Sequence, residues 1–225
     1  MTEKSKPGPS GTTGSEVAAI RGVNDEPPLV FVVDDDSGVR EALSDLLFSS
    51  GLRASAFGSA EELLRALAHE TPACLILDLQ LPDISGLDIQ RELAKGDGPP
   101  IVFISGRADI PSSVRAMKAG AIEFLPKPFS DEELLAAIES AIAQHRLGWQ
   151  RREELAELRK SYAQLSARER EVLPLIVAGM TNKETAARLG IAEITVQIHR
   201  SQIVRKLAAR SLPDLVRMAS KLGIS

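Results

Sequence analysis

From Leu29 onward, short apolar runs alternate with stretches in which apolar residues recur every three or four positions. Leu29–Val33, Arg53–Phe57, Ala73–Leu77, Ile101–Ile104 and Ala121–Leu125 are of strand length, and brief apolar runs bounded by turn residues suit strands buried in a parallel sheet. Between them, Ser37–Ser50, Ser59–His69, Leu87–Lys95 and Asp109–Ala119 read as helices. The first turns Val39, Leu43, Leu46 and Leu47 inward. Ser59 opens the second, with Glu62 three residues on as in a capping box. Pro111 falls in the first turn of the fourth, where a missing N–H costs nothing. Five βα units in succession predict an α/β domain built on a five-stranded, doubly wound parallel sheet with right-handed crossovers.

Beyond it, helix-favouring sequence runs from Ser130 to about Gln164, interrupted only by Gly148. Leu134, Leu135, Ile138 and Ile142 form one apolar stripe; Leu155, Leu158, Tyr162 and Leu165 form another. The second is too short for an independent coiled coil, which leaves a connecting helix or one that assists dimerisation. Short helices follow at 167–178, 182–189, 193–208 and 212–222, with Gly179 and Gly190 ending the first two. Helices joined by such turns suggest a helix-turn-helix domain. Residues 1–27 are rich in Lys, Pro, Gly, Ser and Thr and read as disordered. The expected organisation is a tail (1–27), an α/β domain (28–140), a helical linker (141–164) and a small all-α domain (165–225).

Composition narrows the class. The single Cys74 lies in an apolar strand, which excludes an intramolecular disulfide and suits a core side chain in a reducing compartment. No apolar run approaches the roughly 18 residues of a membrane span, and the N-terminus lacks the apolar segment of a signal peptide. A cytoplasmic protein is expected. Residues 29–150 carry 10 Lys and Arg against 19 Asp and Glu, a difference of −9, whereas residues 166–225 carry 10 against 5, a difference of +5. The second module therefore faces something anionic.

Candidate chemistry gathers at strand ends. In open parallel sheets ligands bind beyond the carboxyl ends of the strands. Val33 is followed by Asp34-Asp35-Asp36, and the third run ends at Asp78. Carboxylates clustered at neighbouring strand ends suit Mg²⁺, which prefers oxygen ligands and retained water; the same residues also suit a helix N-terminus, where negative charge is favoured. The fourth run leads into Ser105-Gly106 and the fifth into Lys127-Pro128. Carboxylates, metal, hydroxyl and ammonium together can receive and stabilise a phosphoryl group.

Residues 29–140 resemble the receiver domain of two-component response regulators, a flavodoxin-like fold, through FVVDDD, LILDLQLPDISG, FISG and the KPF of Lys127–Phe129. The resemblance implies Asp78 as phosphoacceptor, Asp35 as a direct Mg²⁺ ligand, Asp34 as a ligand through water, and the Gln80 backbone carbonyl in the metal shell. It further implies Ser105 and Lys127 on the phosphoryl oxygens, Phe124 as the aromatic switch, and a cis peptide at Lys127–Pro128. Leu81 stands where Met is usual, and Arg107-Ala108 replace a frequent His-Gly.

In the basic module, Thr181 and Glu184 have capping-box spacing, and Val196, Ile203 and Leu207 form the apolar back of a longer helix. An apolar back and a basic, polar front suit insertion in a DNA major groove. The segment resembles the LuxR-type helix-turn-helix, and the whole chain the FixJ/NarL class of regulators. Motif positions fall on Glu169, Asn182-Lys183, Ala186, Leu189, Thr195-Val196, His199, Ile203 and Lys206-Leu207. The resemblance places Gln197, Ile198 and Ser201 at bases with Arg200 beside them, and Lys183 and Lys206 on phosphate; Thr195 and His199 complete the expected DNA-binding set. Gln can pair with adenine, and Ile can cover a thymine methyl. Ala192 replaces the usual capping Ser, predicting a weaker helix start.

Together these features predict a transcriptional regulator rather than an enzyme: a phosphoacceptor that assists its own phosphorylation and dephosphorylation. Expected partners are a sensor histidine kinase, double-stranded DNA, RNA polymerase and, on phosphorylation, a second copy of the chain. Two rivals are a phosphotransfer intermediate with a vestigial C-terminal module and a phosphorylation-independent transcription factor.

Overall fold

A computed structural model describes residues 27–69, 71–107 and 109–224. Apart from Pro27, the expected tail lies outside them. The strands are β1 (Leu29–Val33), β2 (Arg53–Phe57), β3 (Cys74–Asp78), β4 (Ile101–Ser105) and β5 (Glu123–Pro126). Interleaved are α1 (Ser37–Ser49), α2 (Ala60–Leu67), α3 (Gly86–Leu93) and α4 (Ile110–Lys118). All strand pairs are parallel, in the order β2-β1-β3-β4-β5. The order reverses between β1 and β3, which opens a crevice at their carboxyl ends.

Alternation along each strand divides the core. Val30, Val32, Cys74, Ile76, Val102 and Ile104 face one way, against Leu43 and Leu47 of α1 and Leu134, Ile138 and Ile142. Phe31, Val33, Leu75, Leu77, Ile101 and Phe103 face the other, against Leu63 of α2, Ile89 of α3 and Ala116 of α4. Both faces of the sheet are covered, so β3 and β4 are buried throughout. Burial pushes the Cys74 thiol pKa far up, as befits a core side chain.

Local ends differ from the sequence pattern by a residue or two. β5 begins at Glu123 rather than Ala121, because Gly120 at φ +92° closes α4 with Ala121 N–H donating to the Ala116 carbonyl. Ser59 caps α2, but Glu62 accepts from Gly58 N–H at 2.8 Å rather than from Ser59. Gly86, at the start of α3, is where a side chain cannot fit: a Cβ there would lie 2.6 Å from the Asp78 carbonyl oxygen and 3.0 Å from Phe103. Gly86→Ala is expected to lower the stability of the α/β unit by about 1–3 kcal/mol, the usual cost of overpacking, read as an earlier urea midpoint.

Helix α5 runs Asp131–Ala163, followed by α6 (Ala167–Val177), α7 (Asn182–Leu189), α8 (Glu193–Leu207) and α9 (Leu212–Lys221). The chain packs as two compact units that divide between Leu147 and Gly148, within α5. The expected linker (141–164) is thus shared: Ile142 belongs to the α/β core, while Leu158, Tyr162 and Leu165 pack with Val172, Leu173, Ile176, Val196, Ile203, Leu207 and Leu215. Thr181 and Ser166 cap α7 and α6 in full capping boxes with Glu184 and Glu169. Ala192 precedes α8 with no side-chain cap.

Candidate functional site: an acidic strand-end cluster and a recognition helix

The register sets the first site. Val33 pairs with Leu77 and Asp78 with Ile104, so Asp34 and Asp78 emerge side by side from β1 and β3. One carboxylate oxygen from each of Asp34, Asp35 and Asp78 lies within 4.8 Å of the others. Asp34 is fully buried, Asp78 nearly so, and Asp35 exposed. Asp34 accepts from Asp36 N–H at 3.0 Å, and Asp78 Oδ1 from Gln80 N–H at 2.9 Å. Lys127 Nζ reaches both remaining oxygens, Asp34 Oδ2 at 2.5 Å and Asp78 Oδ2 at 2.9 Å. Burial pulls the Lys127 pKa down, but the bonds to Asp34 and Asp78 outweigh it and hold the ammonium above its ordinary value.

The other expected residues stand around this pair. Ser105 is buried at the end of β4; its Oγ accepts from Arg107 N–H at 3.2 Å, and its carbonyl from Lys127 N–H at 2.7 Å. Lys127–Pro128 is cis. Phe124 is half-buried, its ring 6.2 Å from that of Phe103. Gln80 is bridged to Ser85 across the β3–α3 turn, which fixes the backbone next to Asp78. Asp36 separates from its neighbours: it caps α1, accepting from Gly38 and Val39 N–H. Arg40, absent from the sequence-derived set, donates from Nη1 to the Asp34 backbone carbonyl at 2.7 Å. Its partner is a main-chain carbonyl, so no side-chain pattern along the sequence marks it.

The donor set fits Mg²⁺: three clustered oxygen ligands, one of them open to water, with no nitrogen or sulfur donor among them. One ammonium shared between two buried carboxylates leaves excess negative charge that a divalent cation offsets.

In the helical unit, Val196, Ile203 and Leu207 anchor the buried side of α8, while Gln197, Ile198 and Ser201 are exposed. Lys183 is exposed on α7; Thr195 and His199 are half-buried. Two expected DNA contacts have partners within the unit. Arg200 donates to the Met180 carbonyl at 3.2 Å, tying α8 to the α6–α7 turn. Lys206 Nζ lies 2.7 Å from Glu169 Oε2 and 3.2 Å from the Gln164 carbonyl. Burial raises the Glu169 pKa, but the Lys206 ammonium and Ser166 N–H outweigh it and hold it below the ordinary carboxylate value.

A strand-end acidic pocket on a parallel sheet, followed by a basic helix-turn-helix, defines a two-component response regulator. The chain belongs to that family: residues 30–139 match the response regulator receiver domain and residues 163–219 the bacterial regulatory proteins of the luxR family. It is 48% identical over 198 residues to Nodulation protein W of Bradyrhizobium diazoefficiens, covering 88% of this chain and 87% of that protein. It is 46% identical over 204 residues to the response regulator protein TmoT of Ectopseudomonas mendocina (89% and 91%) and 40% identical over 197 residues to the transcriptional regulatory protein FixJ of Azorhizobium caulinodans (87% and 93%). Among solved structures it resembles the response regulator StyR, with a TM-score of 0.74 and 47% identity over 87% of this chain and 99% of that one. Full-length FixJ from B. japonicum matches at a TM-score of 0.54 and 34% identity over 89% and 99%. The family implies a histidine kinase partner and DNA binding. Among the described residues no helix is long and apolar enough to cross a membrane.

Proposed function

We propose that this regulator works in the cytoplasm, that a sensor histidine kinase transfers a phosphoryl group to Asp78, and that the switched form binds a two-fold DNA site as a dimer, where RNA polymerase can meet it. The observation that carries this reading is Asp78 at the β1–β3 switch point, with its Oδ2 on Lys127. An Asp78 oxygen forms the new O–P bond as the P–N bond of a phosphohistidine breaks, and the electron pair leaves with the imidazole nitrogen. Asp35 directly, Asp34 through water, Asp78 and the Gln80 carbonyl would hold Mg²⁺, which when bound offsets negative charge on the transferring group. Lys127 keeps its charge and turns from the carboxylates to a phosphoryl oxygen.

Ser105 then gives up the Arg107 N–H for the phosphoryl group, and Phe124 follows toward the space it leaves, biasing a two-state equilibrium at α4 and β5. On α4 an exposed stripe of Ile110, Val114 and Met117 offers an apolar surface for a second copy. On the DNA side, exposed Gln197, Ile198 and Ser201 read bases, and Lys183 meets phosphate. Thr195 and His199 set the helix against the backbone. Arg200 and Lys206, held by Met180 and Glu169, act by fixing α8.

The test is intact mass and sedimentation after incubation with acetyl phosphate and Mg²⁺, followed by DNA titration at fixed salt. A single phosphoryl adduct, a shift to dimer and tighter DNA binding are expected. A protein that takes no phosphoryl group from acetyl phosphate or from a kinase overturns the switch.

A further inference from the structure

The Asp35 carboxylate is exposed and takes no hydrogen bond among the described residues. Its direction is therefore set by the backbone that carries it. The peptide joining Asp34 to Asp35 is planar, so fixing the Asp34 carbonyl fixes the plane from which Asp35 departs. A sheet partner cannot do this. Asp34 N–H still reaches the Phe57 carbonyl at 3.3 Å, but β2 ends there, and among the described residues no backbone N–H donates to the Asp34 carbonyl.

Arg40 supplies the missing donor. Its Nη1 lies 2.7 Å from the Asp34 carbonyl oxygen. The guanidinium rests over Gly58, where a Cβ would stand 3.4 Å from Nη1, 3.6 Å from Cζ and 3.7 Å from Nη2. The fork is thus held between the β1–α1 and β2–α2 turns, and it makes no ion pair among the described residues. It is spent on a carbonyl at the edge of a carboxylate cluster.

We propose that Arg40 is a positioning residue for the divalent-cation site: by holding the Asp34–Asp35 peptide it aims the Asp35 carboxylate at the ion. This rests on the reading of Asp34, Asp35 and Asp78 as the Mg²⁺ ligands. Charge and position make opposite predictions. A guanidinium acting only through its field repels a cation, so removing it would tighten Mg²⁺ binding. A guanidinium acting through the carbonyl strengthens the site, and its loss weakens binding in spite of the charge removed.

The experiment is calorimetric titration of the full chain with Mg²⁺ alone, comparing wild type with Arg40→Met and Arg40→Lys, and with Leu43→Val as a control for a loosened α1. Arg40→Met is expected to weaken binding on the order of tenfold, the low end for groups that orient metal ligands. Arg40→Lys, with a cation and one reachable donor, is expected to fall between. Leu43→Val is expected to lower the melting temperature and leave the affinity alone. Unchanged or tighter binding by Arg40→Met overturns the inference, as does an equal loss in Leu43→Val. A wild type that binds no Mg²⁺ overturns the metal assignment along with it.

Discussion

Asp78→Asn is expected to abolish the phosphoryl adduct and the phosphate-dependent gain in DNA binding while leaving the α/β unit at least as stable as wild type in the absence of metal. The two effects have separate causes. An amide is no nucleophile toward phosphorus, and among the described residues no other carboxylate of the cluster shares the place of Asp78, between Lys127 Nζ and Gln80 N–H. Asp34 is enclosed, with both oxygens committed to Asp36 N–H and Lys127. The gain in stability follows from charge. The cluster holds three carboxylates against one ammonium, which pairs with Asp34 and Asp78, so neutralising Asp78 leaves Asp34 and Lys127 as a balanced pair. Unit charges 4 Å apart at an effective dielectric of 20 interact by about 4 kcal/mol. Solvent around Asp35 screens much of that, and a gain of about 1 kcal/mol is expected, since double-mutant couplings of this kind fall near that size. Urea unfolding with and without Mg²⁺ separates the causes: the variant should exceed wild type in chelator and lose most of the Mg²⁺-dependent increment. A variant that takes up phosphate as wild type does would move the acceptor elsewhere. One that unfolds would mean that Asp78 holds the crevice together.

How much of this was readable in the chain depends on where the information lies. The strands were plain because both faces of the sheet are covered, and β3 and β4 are written as unbroken apolar runs. Asp78 and Ser105 were readable because each directly follows such a run, and Lys127 because it comes just after the fifth strand, past Pro126; a strand's end needs no tertiary knowledge to locate. From the residue types alone Asp36 was not separable from Asp34 and Asp35, and only the family resemblance left it out of the ligand set: three identical residues in a row differ only in the direction the chain takes, and it is the turn into α1 that makes Asp36 a cap. Arg40 was invisible because its partner is a backbone carbonyl, which every residue carries. Arg200 and Lys206 sit where a basic residue on a recognition helix reads as a DNA contact. Their partners lie elsewhere in the unit, Met180 in the α6–α7 turn and Glu169 on α6, and Glu169 is 37 residues from Lys206. Long-range pairing of this kind leaves no periodicity to detect.

Lys206 is the sharper of the two, because its alternatives differ in a measurable slope. Lys206→Met is expected to destabilise the helical unit by about 2–3 kcal/mol, somewhat below the 3–5 kcal/mol typical of breaking a fully buried pair. The discount reflects the 27% exposure of the Lys206 side chain, against 6% for Glu169. What remains is a buried carboxylate with Ser166 N–H but no cation. Adding Glu169→Gln should restore much of the loss, since the amide can keep the Ser166 bond without an uncompensated charge. The sign with pH follows from the lowered Glu169 pKa. The pair contributes in full above the unfolded carboxylate value of about 4.3, and that contribution is lost as pH falls through the lower folded value. Wild type and Lys206→Met should therefore converge in stability below that value. DNA binding completes the test. A lysine on phosphate would reduce the dependence of log K on log salt by about one unit when removed. A lysine that only seats α8 leaves the slope unchanged and lowers affinity for the specific site, because the recognition helix loses its bond to the Gln164 carbonyl and to the cap of α6. An unchanged slope with a lower melting temperature would establish the helix-seating role; a slope reduced by one, with stability intact, would return Lys206 to the DNA backbone.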